Sequence, residues 1–435
     1  MAEFCAWEIL APAGIVARLV PSRREGQSQV NLLAFVEGRE RGLAPLVLNT
    51  HLDTVPPGDL ALWTECGGDP FSATVKGERI YGLGAADTKL DFAAKATVLV
   101  EIGKPRRDVY LVGTFGEEHG LIGAKEMAES GALPRGALAF VGEPSRLEVI
   151  IAHKGLMAFE LAIRFTPVNS EGPLKMRRVR FVGKAAHSST PALGENAIVK
   201  ALGALASRPG LQVAAIEGGD AVNKVPARCD VLVAAGSAET LGADAIETDL
   251  IERSKRIPPQ VIVSLHRFVE TLNDFADRAG PREADFAEPT LTCNPGLIRT
   301  VGDAVALDFE LRPPPGLSLD DVRRGVAEIV ERLREAAAPG LAIELTEKRA
   351  NHGFRSAAAS ETVELAMAAM ARSGIALGTG VKSGCTEAGV YAAAGLAPVV
   401  FGPGPSTGVI HAPNEYNFPA EVEAAVRFYR AILES

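Results

Sequence analysis

Val47-Leu48-Asn49-Thr50-His51-Leu52-Asp53-Thr54-Val55 is the stretch from which the fold can be read. It opens apolar and β-branched, as a buried strand does, and closes on two polar residues, His51 and Asp53. On an extended chain, residues two apart point the same way, so these two can cooperate. One ring nitrogen of His51 can bind a metal while the Asp53 carboxylate fixes the ring and its tautomer. A His-x-Asp triplet alone is more often a polar loop after a strand, so the metal reading depends on further ligands downstream.

The same design recurs along the chain. Residues 43–50 form the strand that delivers His51. Asp108 to Phe115 reads as the next buried strand, with Glu117 and Glu118 at its carboxyl end. Ala137 to Val141 ends in Gly142-Glu143-Pro144, and Leu396 to Phe401 precedes the loop that carries His411. Helical spacing covers Asp87 to Glu101, Ile122 to Ser130 and Ser360 to Arg372. The first of these helices follows the tight turn Gly82-Leu83-Gly84-Ala85-Ala86-Asp87. Alternating strands and helices predict an α/β fold: a mixed, mostly parallel sheet with helices on both faces.

The pattern changes near residue 157. Ala158 to Phe165 and Arg178 to Val182 alternate as half-exposed antiparallel strands do. Asp230 to Ala235 and Ala304 to Leu311 read as strands, and Asn196 to Ala206 and Leu319 to Ala337 as helices. The charge-rich stretch 237–290 reads as helical. These segments predict an α+β domain, residues 157–348, inserted into a domain made of residues 1–156 and 349–435. A chain of 435 residues exceeds one comfortable core, which agrees with two domains.

Composition narrows the function. Hydrophobic residues make up 47% and charged residues 23%, ordinary values for a globular chain. The net charge of -9 argues against a nucleic-acid backbone as partner. Five cysteines (Cys5, Cys66, Cys229, Cys293 and Cys385) are scattered, with no pair at zinc-finger or redox spacing, and read as reduced thiols. No run is long enough for a membrane helix, and Glu3, Glu8, Pro12 and Gly14 interrupt the apolar start. The expected location is the cytoplasm, with no membrane partner.

The polar groups at the predicted strand ends are His51, Glu117, Glu118, Glu143 and His411, with Asp87 beside them. Ligands gather at that edge of open parallel sheets. Two His and several carboxylates suit borderline divalent ions, zinc first. They suit two ions sharing one carboxylate, roughly 3.5–4 Å apart, as in hydrolytic two-metal sites. Of the adjacent Glu117 and Glu118, one can bind metal while the other acts as base.

These pieces resemble the di-zinc aminoacylase and carboxypeptidase G family, and most closely its acetylornithine deacetylase branch. The resemblance rests on His51-Leu52-Asp53-Thr54-Val55-Pro56, Tyr81 to Lys89, Glu117-Glu118, Gly142-Glu143-Pro144-Ser145, His153-Lys154-Gly155 and His411-Ala412-Pro413-Asn414-Glu415-Tyr416. Ala186-His187-Ser188-Ser189, Gly218-Gly219-Asp220 with Asn223, Arg312 with Pro315-Gly316, and Cys385-Thr386-Glu387-Ala388 add to it. The resemblance implies that His51 and Glu143 bind one metal, Glu118 and His411 the other, and Asp87 both. It implies that Asp53 orients His51 and that Glu117 is the general base, then the acid toward the leaving amine. It also implies a cis Asp87-Thr88 peptide. The metals would be zinc, with cobalt able to replace it. The inserted domain would act as lid and dimer contact, with His187 reaching a neighbouring subunit's site as an oxyanion donor. Asn223 and Arg312 would hold the substrate carboxylate, with Lys154 and Glu387 near the substrate. The implied substrate is a small N-acyl amino acid such as N-acetylornithine, or, for other branches, a dipeptide or a carboxypeptidase substrate.

The chain departs from the family pattern in three places. Only 50 residues precede His51, which leaves little room for the usual opening helix. Leu90 stands where Gly is usual after Asp-x-Lys. Residues 237–290 are longer than the lid needs.

Three other readings compete, one of them a catalytically dead binding or scaffold protein, against which stands the presence of every expected ligand and the base. Gly404-Pro405-Ser406-Thr407-Gly408 matches a serine-hydrolase elbow, but no helix signal follows Ser406. Gly82-x-Gly84 follows a strand as in dinucleotide sites, but Asp87 would repel a pyrophosphate.

Overall fold

The computed structural model describes all residues except 25, 27, 236–240, 242–243 and 246–250. The described contacts fall into two units: Met1–His153 with Gly353–Ser435, and Lys154–His352.

The first unit is built on a mixed sheet. Its centre is parallel: Val109–Thr114, Leu46–His51, Leu138–Gly142 and Ala397–Phe401 lie side by side in that order. Ala17–Pro21 and Val30–Val36 add antiparallel strands on one flank; Val149–His153 and Phe354–Arg355 do so on the other. Thr379–Lys382 pairs parallel with Val149–His153. The apolar runs of the central strands serve two layers. Leu46, Leu48, Leu138 and Phe140 pack toward helices Lys89–Ile102, Glu361–Ser373 and Pro419–Leu433. Val47, Ala139 and Val141 face helices Ile122–Glu129 and Ala388–Ala393. Burial on both faces explains the near-continuous hydrophobicity of these strands.

Register sets the edge of the sheet. His51 pairs with Thr114, and Thr50 with Gly142. His51, the Phe115–Glu118 turn and Glu143 therefore emerge at one level. A small three-stranded sheet, Thr74–Lys76, Arg79–Tyr81 and Tyr416–Asn417, sets Tyr416 opposite Tyr81. It draws the loop after His411 toward the Gly82–Asp87 turn. The Asp87–Thr88 peptide is cis.

The second unit is α+β. Its described strand pairings in the large sheet are antiparallel, along the order Val168–Val182, Arg228–Ala234, Val213–Gly218, Thr292–Val301, Ala304–Arg312, Leu156–Arg164, Ala342–Asn351. Phe159, Leu161 and Ile163 face a core shared with helices Ala197–Ala206, Pro259–Arg278 and Leu319–Glu335. Glu160 and Arg164 alternate outward as period-two patterning requires.

The structure corrects several expectations. Only part of 237–290 is helical: Ile251–Arg256 is a strand, and the helix begins at Pro259, where a proline costs no helical hydrogen bond. Parts of 237–250 lie outside the described residues. Helical turns occupy residues 2–13, so a helical segment does precede the first strand. The flanking strands Val149–His153, Phe354–Arg355 and Thr379–Lys382, and the Pro419–Leu433 helix, escaped the sequence reading. The three strands are short, and one of them pairs over only two residues. No described helix is long and apolar enough to cross a membrane.

Candidate metal centre and active site

His51 is the last residue of its strand and is 1% exposed. Its Nδ1 lies 3.1 Å from the backbone carbonyl of Asp53 and its Nε2 3.0 Å from Asp87 Oδ1. The ring is thus held by the carbonyl of Asp53, with the Asp53 carboxylate at 3.6 Å. That carboxylate has another task. It accepts the backbone N–H of Glu117 at 3.2 Å and of Glu118 at 3.3 Å. Asp53 therefore fixes the turn bearing both glutamates as well as standing beside His51. The sequence pattern suggested only the His51 contact.

Asp87 divides its two oxygens. Oδ1 faces His51, and Oδ2 lies 3.2 Å from His411 Nε2, which is also 3.1 Å from Glu118 Oε1. Donor atoms of His51, Asp87 and Glu143 all lie within 4.8 Å of one another, as do those of Asp87, Glu118 and His411. Bonds of about 2.0–2.2 Å to a tetrahedral cation put its ligand atoms roughly 3.4 Å apart. The His51–Asp87, His411–Asp87 and His411–Glu118 separations of 3.0, 3.2 and 3.1 Å are close to that, and imidazole with carboxylate is a donor set suited to zinc or a similar ion. Both trios thus gather the donor atoms a cation needs.

Glu415 completes this corner. It is 2% exposed, and its Oε1 accepts the backbone N–H of Ala86 at 2.8 Å and of Asp87 at 2.9 Å. Asn414 ties the same loop to residues 62–65: its Oδ1 accepts the Glu65 N–H, and its Nδ2 donates to the Leu62 carbonyl and to Thr64 Oγ1. The sequence does not reveal these roles, although Asn414-Glu415 stands within the His411 motif. No periodicity marks a side chain that caps a distant turn.

Electrostatics agree with the geometry. Burial opposes charge on His51, but the carboxylates of Asp53 and Asp87 outweigh it and hold the ring's pKa well above the usual imidazole value. Contacts with Asp87 and Glu118 push His411 up to about 10. Burial opposes the charge on Asp87, but His411 and His51 overcome this and keep its carboxyl far below the usual range. Glu117 makes no side-chain hydrogen bond among the described residues, and burial drives its pKa well upward. Burial also raises Glu143, although Lys382 sits 3.3 Å from its Oε2 and opposes the shift. Glu387 is buried behind this edge: Thr114 Oγ1 donates to it at 2.8 Å, and burial pushes it up to about 7.

Ser406 is followed by turns, with no helix before Pro419, so the elbow geometry is absent.

In the second unit, the remaining candidates meet around one strand end. The backbone N–H of Ser188 donates to the Asn223 carbonyl, and His187 pairs in register with Lys224. Arg312 Nε lies 2.5 Å from Glu310 Oε1, which also accepts from Ser188 Oγ at 2.6 Å. Arg312 is therefore half of a buried ion pair. Lys154 Nζ donates to the Thr290 carbonyl at 2.7 Å, and burial pushes its pKa down to about 8.

The chain belongs to the peptidase family M20/M25/M40, whose family model matches residues 47–435. An acetylornithine deacetylase of Photorhabdus laumondii is 33% identical over 229 residues, 48% of this chain and 53% of that one. The match thus spans about half the length of such curated relatives. Among solved structures, the aminoacylhistidine dipeptidase of Vibrio alginolyticus superposes with a TM-score of 0.66 at 18% identity, covering 100% of this chain and 92% of that one. The M20 metallo-carboxypeptidase Sso-CP2 of Sulfolobus solfataricus gives 0.60 at 16% identity, covering 99% and 92%. At such identities these two structures speak to the fold.

Proposed function

We propose that the protein removes the acyl group from a small N-acyl amino acid, with an N-acetyl amino acid of the acetylornithine type as first choice. It would use two divalent ions, zinc or cobalt, one held by His51, Asp87 and Glu143 and the other by Asp87, Glu118 and His411. The observation that carries this reading is the split of Asp87, one oxygen toward each histidine, with Glu117, which has no side-chain hydrogen bond among the described residues, close by. When bound, the ions would lower the pKa of an attacking water and polarise the amide carbonyl.

The side chains supply the rest. Glu117 takes the proton of the water and passes it to the leaving amine. A carboxylate beside the water can serve both halves of that transfer. The Asp53 carboxylate holds Glu117 and Glu118 through their backbone amides, and its carbonyl leaves His51 Nε2 aimed at Asp87. Glu415 fixes the peptide that carries Asp87. Glu387 braces the strand end at Thr114, a supporting role in addition to the substrate contact expected of it. His187, Asn223, Arg312 and Lys154 remain the proposed substrate contacts. Glu310 already neutralises one side of the Arg312 guanidinium, so a substrate carboxylate would have to use its other nitrogens. Dimerisation through the inserted unit, an oxyanion contact from His187 to a neighbouring subunit, a cytoplasmic location and a place in arginine biosynthesis belong to the same reading.

A dipeptidase or carboxypeptidase is the second reading, because the solved neighbours bear those names on the same fold. A panel of N-acetyl amino acids, N-succinyl amino acids and free dipeptides, assayed on zinc- and cobalt-loaded protein, separates the two. Deacylation should lead and should vanish with a chelator. A preference for free dipeptides would favour the second reading, and chelator-insensitive turnover would overturn both.

A further inference from the structure

Beneath the metal-site edge lies an ion pair that the proposed chemistry does not use. Lys95 and Asp91 stand four apart on the Lys89–Ile102 helix, on one face, and their side chains are 0% and 1% exposed. Lys95 Nζ is 2.7 Å from Asp91 Oδ2, 2.6 Å from the Asn49 carbonyl, 2.9 Å from Thr50 Oγ1 and 3.2 Å from the Phe140 carbonyl. Thr50 Oγ1 donates to Asp91 Oδ2 at 2.6 Å, and Tyr429 of the last helix donates to Asp91 Oδ1 at 2.5 Å.

The placement of these contacts is informative. Asn49 and Thr50 directly precede His51, and Phe140 lies three residues before Glu143. The ammonium thus grips the two neighbouring strands that end in two members of the first trio. The Asp91 carboxylate fills the space over Gly142, where a Cβ would lie 2.0 Å from Oδ2. A well-packed apolar pair would give such a layer comparable stability without the desolvation cost of two charges. What apolar packing lacks is direction. Hydrogen bonds from a fixed ammonium set the separation of two strand ends, and ligand groups must be held to within about 0.5 Å.

We infer that Lys95 and Asp91 are positioning residues for the His51–Asp87–Glu143 trio, a buried clamp that sets the spacing of His51 and Glu143 for a cation. This rests on the reading of that trio as a cation site. The test is calorimetric zinc titration of metal-stripped full-length protein, with circular dichroism as the check on folding. Wild type should bind two ions. The double variant Lys95→Met/Asp91→Asn should stay folded and bind at one site about 10–100-fold more weakly, the scale seen when groups behind metal ligands are removed. The weakened site should be the one that His51→Ala abolishes, and the other should change less than about twofold. Tyr429→Phe, which removes one hydrogen bond to Asp91, should weaken the same site by a few-fold and covers the case in which the double variant does not fold. Unchanged binding in the folded variants, or equal weakening at both sites, would overturn the clamp. Wild-type protein that binds no zinc would instead remove the cation reading and the clamp with it.

Discussion

Replacing Glu415 by alanine should loosen the turn that carries Asp87, and the size of the effect can be worked out from the hydrogen bonds. One carboxylate oxygen accepts two backbone N–H groups, those of Ala86 and Asp87, in a nearly fully buried position. Truncation strands both donors. Each buried donor left unsatisfied costs about 1–3 kcal/mol, and partial entry of water lowers the total, so about 2–4 kcal/mol of local stability should go. Glu415→Gln keeps an acceptor oxygen and relieves both the burial of a charge, the main cause of the raised pKa of Glu415, and the smaller repulsion from Asp87. It should cost no more than about 1 kcal/mol. Hydrogen exchange of the 82–89 segment in metal-free protein reads this directly, because local opening sets the rate. A loss of 2 kcal/mol corresponds to roughly 30-fold faster exchange for the alanine variant. The glutamine variant should stay within a few-fold of wild type. Exchange in Glu415→Ala indistinguishable from wild type would refute the capping role. Equal acceleration in both variants would show that the charge matters and the acceptor does not.

Two further outcomes follow from the site. Glu117→Gln should lower kcat by about 10²–10⁴ while zinc content, measured by elemental analysis, stays at the wild-type level; unchanged turnover would remove Glu117 as the base. In metal-free protein the His411 ring should remain protonated at pH 8, since its pKa is pushed up to about 10. A folded pKa above the unfolded value of about 6.5 means that the stability contributed by the charged ring is complete below that pH and is lost as pH rises from there through about 10. The ring is 44% exposed, so solvent keeps this contribution small. Zinc added near pH 7.5 should then release protons, seen as a dependence of the binding heat on the buffer used. An NMR titration of His411 near 6.5, with no proton release, would contradict the assignment.

The sequence carried much of this by itself. Strands buried on two faces must be continuously apolar, so 46–51, 109–114, 138–142 and 397–401 were readable, and the polar residues that end them could be collected into one candidate site. The switch to period-two alternation after residue 157 marked the antiparallel unit. Other features depend on contacts between residues far apart in the chain and leave no local pattern. Short flanking strands such as Phe354–Arg355 exist only because a neighbouring strand supplies their hydrogen bonds. A buried Lys95 in a helix looks like any surface lysine until the carbonyls of Asn49 and Phe140 are brought to it. The carboxylate of Asp53 reads from the sequence as a partner of His51; the folded chain keeps it 3.6 Å from that ring and adds the amides of Glu117 and Glu118, 64 and 65 positions away. Local chemistry determined which groups could bind a cation. Only the folded chain decided which backbone amides and charges hold those groups in place, because hydrogen bonds are short and directional and the chain that supplies them comes from elsewhere.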